Sequence, residues 1–337
     1  SSAICSDGSP LADIAIAPGE AVTCTFQNTK LDTIVVYKVA AGGDATFSFT
    51  STIPGASSFS IATTNGTGQI FFPNVPPGAY AISETTPAGW VLVDAVCANG
   101  ADPTSITLAP GETLACSFLN AKNDTIIVEK RTVGGDGRFP FTSTIPGAGS
   151  FTLTTTSNVT RTSFTVAPDA TYSISESVPA GWDLIAATCS NGDSPGSVYV
   201  GAGETVTCVF TDTQRSTLRI GKLAIGGDAV FPFASTLNPP AFALTTTNGV
   251  TVATFANLAP GTYAVTETAL AGWDLVDTLC TNGNDPGSIT LLPGEQVDCI
   301  FENVKRGALV IGKETSGGDG VFTFTSSTLT PASFTLT

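Results

Sequence analysis

The sequence contains no histidine, and only 13 of its 337 residues are lysine or arginine. Without histidine, and with no open cluster of acidic residues or nucleophiles, it offers no ordinary acid–base or triad chemistry. The scarcity of basic residues against 28 acidic ones leaves a net charge of −15. Such a chain is repelled by nucleic acid and by anionic membrane surfaces. Charged residues are only 12% of the total and hydrophobic ones 42%, so the composition can build a core and is unlike a disordered acidic tail. No apolar run approaches the roughly 20 residues of a membrane-spanning helix. No stretch reads as a signal peptide or an amphipathic helix.

What is present is repetition. Gly-Gly-Asp recurs at Gly42–Asp44, Gly134–Asp136, Gly226–Asp228 and Gly317–Asp319, a period of 91 to 92 residues. Gly-Trp recurs at Gly89-Trp90, Gly181-Trp182 and Gly272-Trp273. Three complete copies are expected at 31–122, 123–214 and 215–305. Residues 1–30 match the tail of a copy and 306–337 the beginning of another, as expected of a window on a longer array. A repeat of about 90 residues suits a domain with its own core. Links such as Ala121–Asp124 and Val304–Gly307 are expected to be about four residues long, which gives a stiff linear array.

The cysteines fall as Cys5/Cys24, Cys97/Cys116, Cys189/Cys208 and Cys280/Cys299, always 19 apart. One pair per copy predicts a disulfide in each and an oxidising, extracellular location. Two thiols without histidine cannot close a tetrahedral zinc site, and no cofactor is called for. Calcium is a further alternative, because Asn99–Asp102, Asn191–Asp193 and Asn282–Asp285 place oxygens on turns, although without EF-hand spacing.

Within the first copy, period-two alternation and turn residues predict strands at 33–39, 45–52, 58–63, 69–72, 79–85, 91–97, 105–108 and 113–120. That density of short strands reads as an all-β sandwich of Ig-like type. Trp90, Trp182 and Trp273 read as core or rim anchors, not ligand platforms.

Strand parity identifies the reactive candidates. Each copy holds a lysine, a glutamate and an asparagine or aspartate: Lys38/Glu84/Asn120, Lys130/Glu176/Asp212 and Lys222/Glu267/Asn303. Lysine and glutamate are 46, 46 and 45 residues apart, and the glutamate precedes the last member by 36 every time. Lys38 shares a strand face with Ile34 and Val36, Glu84 with Tyr80 and Ile82, and Asn120 with Cys116 and Phe118. All three polar groups therefore point inward, where an unpaired charge is very costly, so they must meet. Residue types alone leave two outcomes open: a buried Lys–Glu ion pair bridged by the amide, or a covalent bond from the amine to the carboxamide or carboxylate.

The lysine closing Val35-Val36-Tyr37-Lys38, the Pro-Gly-x-Tyr-x-x-x-Glu run from Pro77 to Glu84, the Pro-Ala-Gly-Trp after it and the terminal Phe-x-Asn together resemble Cna-B domains of bacterial adhesins and pilins. The resemblance implies tandem prealbumin-like β-sandwich domains. It also implies intramolecular isopeptide bonds Lys38–Asn120, Lys130–Asp212 and Lys222–Asn303, assisted by Glu84, Glu176 and Glu267. In the partial copies, Asn28 and Lys313 occupy the corresponding positions. Two features depart from the pattern: the second copy has Asp212 in place of asparagine and Pro168-Asp169 in place of Pro-Gly, and the cysteine pair either adds to the isopeptide bond or replaces it. The function expected is a structural shaft or spacer of an extracellular filament, pilus or stalk. Its partners would be neighbouring copies in a fibre, and its only reaction a single-turnover self-crosslink. The alternative is an adhesin whose repeats bind carbohydrate or protein.

Overall fold

The computed structural model describes residues 2–337. Strands β1 (Ser2–Cys5) and β2 (Cys24–Gln27) form an antiparallel pair. The first full copy follows with β3 (Asp32–Ala41), β4 (Thr46–Ser51), β5 (Ser58–Ala62), β6 (Thr67–Val75), β7 (Gly78–Tyr80), β8 (Ile82–Thr85), β9 (Trp90–Cys97), β10 (Ile106–Leu108) and β11 (Thr113–Lys122). Its larger sheet has the order β6-β3-β11-β9, so the first and last strands of the copy lie side by side, and they are parallel. A second sheet, β5-β4-β8, packs against it, and β7 pairs with β10. The two layers meet through Phe49 and Phe118, whose rings stand edge to face at 5.1 Å. The later copies repeat this plan: Asp124–Val133 runs parallel to Thr205–Gln214, and Ser216–Ile225 to Gln296–Lys305. Residues 306–337 contain one hairpin, Phe322–Thr325 with Ser333–Leu336.

Each full copy has its own apolar cluster, built on Ile34, Val36, Phe47 and Phe118 in the first. Ile126, Val128, Phe139 and Phe210 form its counterpart in the second, and Leu218, Ile220, Phe231 and Phe301 in the third. Burying each such side chain contributes about 1.5–3 kcal/mol before entropy is counted. The tryptophans close the clusters, with Trp90, Trp182 and Trp273 edge-on to Phe47, Phe139 and Phe231 at 5.0 to 5.1 Å. The Gly-Gly-Asp motif has a structural use. The Asp44 carboxylate accepts the backbone N–H groups of Asn65 (3.0 Å) and Gly66 (2.8 Å), which pins the β5–β6 turn.

Two expectations need correction. The strand expected over 79–85 is two strands, because the chain changes partners at Ala81. There, Ala81 N donates to Thr52 Oγ1 (2.9 Å), and its carbonyl accepts Thr52 N–H (3.0 Å). The threonine side chain replaces a ladder bond and lets β7 and β8 join different strands, while the alternation of side chains continues through the switch. The link between the first two copies is also shorter than four residues. β11 runs to Lys122 and β12 (Asp124–Val133) starts at Asp124, so Asn123 alone lies between them. The chain folds as two compact units, one ending at Gln214 and the other beginning at Arg215.

Candidate functional site

The parallel pairing of β3 with β11 places Phe118 opposite Lys38 and Asn120 opposite Ala40, so the lysine and asparagine project from neighbouring strands into the same interior. β8 sits on the facing sheet, with Glu84 in register with Phe49, and presents its carboxylate from across the core. The trio meets there. Lys38 Nζ donates to Asn120 Oδ1 (2.6 Å) and to the carbonyls of Phe118 (3.0 Å) and Val39 (3.1 Å). Asn120 Nδ2 donates to Glu84 Oε1 (2.5 Å), and Glu84 Oε2 lies 3.4 Å from the amine. The side chains of Lys38 and Glu84 are both fully buried.

The third copy repeats this arrangement. Lys222 Nζ lies 2.5 Å from Asn303 Oδ1 and 3.4 Å from Glu267 Oε2, and Asn303 Nδ2 is 2.6 Å from Glu267 Oε1. In the second copy, Lys130 Nζ contacts Asp212 Oδ1 and both oxygens of Glu176, at 2.9 and 3.2 Å.

Electrostatics differ between the copies. Burial pulls the Lys38 and Lys222 amines below the ordinary lysine range, opposed by the charges of Glu84 and Glu267. A lowered amine pKa favours the neutral form, whose lone pair is the nucleophile. Burial also raises Glu176, to about 7; the Lys130 ammonium opposes that rise and the neighbouring Asp212 carboxylate adds to it. A protonated glutamate can hydrogen-bond a carboxyl or carboxamide oxygen and pass its proton to a leaving group.

Phe47, Phe139 and Phe231 belong to the site although parity pointed only to the trio. Each ring lies beneath a lysine ammonium, 4.1 Å, 4.4 Å and 4.4 Å from its centre. The signal was the Phe-x-Phe or Phe-Pro-Phe after every Gly-Gly-Asp, although nothing in that pattern says which ring meets the amine.

The cysteines are bonded as Cys5–Cys24, Cys97–Cys116, Cys189–Cys208 and Cys280–Cys299, each pair directly opposite in register. In the three full copies they tie the last strand to its antiparallel neighbour, so one strand carries both the cysteine and the asparagine or aspartate. Asn28 and Lys313 are exposed, unlike their counterparts, and Lys313 Nζ lies 4.4 Å over the Phe322 ring. The oxygen-rich turns are engaged internally. Asn99 accepts from Ala101 N, Asp102 from Thr104 N, Asp193 from Tyr199 N and Asn284 from Thr290 N. Among the described residues no group of three acidic or cysteine ligands could hold a metal.

A family model described as a prealbumin-like fold domain matches residues 34–122, 126–214 and 218–305. No curated protein matches the sequence. Among solved structures, the Bacillus anthracis TIE protein is similar at 16% identity and a TM-score of 0.35, over 84% of this chain and 53% of its own. The chain thus spans about half the length of that protein. The major pilin from Streptococcus pyogenes is similar at 15% identity and a TM-score of 0.26, over 54% of this chain and 99% of its own. For the shaft pilin spaA from Lactobacillus rhamnosus GG the values are 11% and 0.22, over 56% and 100%. At such values these likenesses carry no inference about activity. The three matches of the family model cover most of the sequence, and the chain belongs to the family of prealbumin-like fold domains, in three tandem copies.

Proposed function

We propose that this chain is a tension-carrying shaft or spacer of an extracellular filament or stalk, and that each full copy closes its own isopeptide bond. The domains are the copies at 31–122, 123–214 and 215–305, with partial copies at 1–30 and 306–337. The observation that carries this reading is the buried contact of Lys38 Nζ with Asn120 Oδ1 at 2.6 Å, bridged by Glu84, between the first and last strands of one domain. In the step proposed, the Lys38 amine attacks the Asn120 side-chain carbonyl carbon. Glu84 takes the amine proton and delivers it to the departing nitrogen, which leaves as ammonia. In the second copy Asp212 loses water instead. Glu84, Glu176 and Glu267 are the assisting residues, and Lys38–Asn120, Lys130–Asp212 and Lys222–Asn303 are the bonds. The reaction happens once per domain, so the protein is not an enzyme in the turnover sense.

The mechanical consequence follows from the strand order. Tension entering at β3 crosses the bond and leaves through β11, without loading the strands between them. Only the ten residues from Asn120 to Lys130 carry it as ordinary chain, at most about 35 Å even when fully extended. The disulfides favour an oxidising location, and the acidic surface favours thin strands over lateral clumping. The partners expected are neighbouring copies in a fibre. Pulling single chains by their ends tests the proposal. Extension should come from links and terminal strands, and whole-domain lengthening steps in oxidised wild-type protein would overturn it.

A further inference from the structure

Separately folded domains in one chain ordinarily move relative to one another unless the interface between them is large and apolar. The junction between the first and second copies is built against that. The link residue Asn123 donates its N–H to Gly89 O of the first copy (2.8 Å), while the carbonyl just before it, Lys122 O, accepts Gly203 N–H of the second copy (3.1 Å). The link is therefore held from both sides. Beside it, the Gly42 turn of the first copy lies against the Ala202-Gly203 turn of the second, backbone to backbone. A Cβ on Gly42 would sit 2.5 Å from Ala202 O, and one on Gly203 would sit closer still to Gly42 O. Both glycines are in the left-handed region, at φ +89° and +75°. The Gly203 turn is itself braced by Asp124, whose buried Oδ1 accepts Glu204 N–H at 3.2 Å.

We infer that these contacts form a locked joint, in which the first two copies turn and bend as a single body and Gly42 and Gly203 are the residues that permit it. No side chain fits between the two turns, so the joint has one packing distance and not a range of them. The one-residue link sets that distance, and the two crossing hydrogen bonds fix the rotation about it. Both glycines recur elsewhere in the sequence, as Gly134, Gly226 and Gly317 for the first and Gly19, Gly111 and Gly294 for the second. The inference concerns orientation between copies and does not depend on whether the lysines are crosslinked.

The test uses the full chain, with spin labels carried by genetically encoded keto amino acids at the exposed positions Thr50 and Thr152, so that the disulfides are undisturbed. Pulsed dipolar spectroscopy then reads the distance between the first two copies. Wild-type protein should give one narrow distribution. Gly42→Ala, Gly203→Ala and a two-glycine insertion after Asn123 should each shift or broaden it. Gly192→Ala is the control for backbone strain, since Gly192 has φ +87° but open space around it, and it should leave the distribution unchanged. If Gly203→Ala fails to fold, Gly42→Ala and the insertion, which alter the other side of the joint and the link, still decide the matter. A broad wild-type distribution overturns the inference. So does a distribution as narrow and as centred as wild type in both Gly42→Ala and the insertion.

Discussion

Replacing Glu84 with glutamine isolates the assisting carboxylate at little cost in volume. The side chain is fully buried, with one oxygen 2.5 Å from Asn120 Nδ2 and the other 3.4 Å from Lys38 Nζ. Glutamine fills the same space but cannot take the amine proton, so the first copy should fold and stay unbonded. The bond would close a loop of 82 residues, and its absence frees the unfolded chain by about 4–5 kcal/mol in the chain-entropy model. For a domain of this size that corresponds to a fall in melting temperature of about 20–30 °C. Calorimetry should resolve the first copy as an early transition while the other two melt as in wild type. Mass spectrometry of the same sample should recover the ~17 Da of the retained ammonia, apart from the change of side chain. A variant that melts like wild type and still lacks that mass would refute the role given to Glu84.

Reducing the disulfides should lower each copy by about 3 kcal/mol for its 19-residue loop and leave all three folded, as circular dichroism would read; unfolding on reduction alone would make the cysteines the main staple. Because burial raises Glu176 to about 7 from an ordinary 4.5, the unbonded second copy binds a proton on folding, and its stability should rise as pH falls from 7 toward 4.5. Time-resolved mass spectrometry of newly synthesised protein should find its water loss slowing as pH rises through about 7, and a rate that rises with pH would contradict Glu176 as the proton donor. Phe231→Ala removes a buried ring that contacts both the Lys222 ammonium and the Trp273 indole and should destabilise the third copy by about 3–5 kcal/mol in chemical denaturation.

Much of the site was legible because a strand turns its side chains by a fixed rule. Lys38 beside Ile34 and Val36 had to face inward, and spacing kept to within one residue across three copies excluded chance surface charges. The break at Ala81 was not legible, because Tyr80, Ile82 and Glu84 keep their alternation while the backbone changes partners. The extra strand length at Ala121–Lys122 was hidden for a related reason: Asn120 to Asp124 read as the end of a strand and a link, and pairing with β3 and β9 carries the strand on. The cradle ring under each lysine and the contact of Gly42 with Ala202 depend on residues distant in sequence, which no local pattern reports.

The central claim is that the buried trios are covalently joined, and intact mass of the folded, fully reduced protein tests it most directly. Two asparagine-derived bonds and one aspartate-derived bond predict a mass about 52 Da below that of the reduced sequence. A mass equal to that of the reduced sequence would contradict the claim and leave three buried ion pairs in place of three crosslinks.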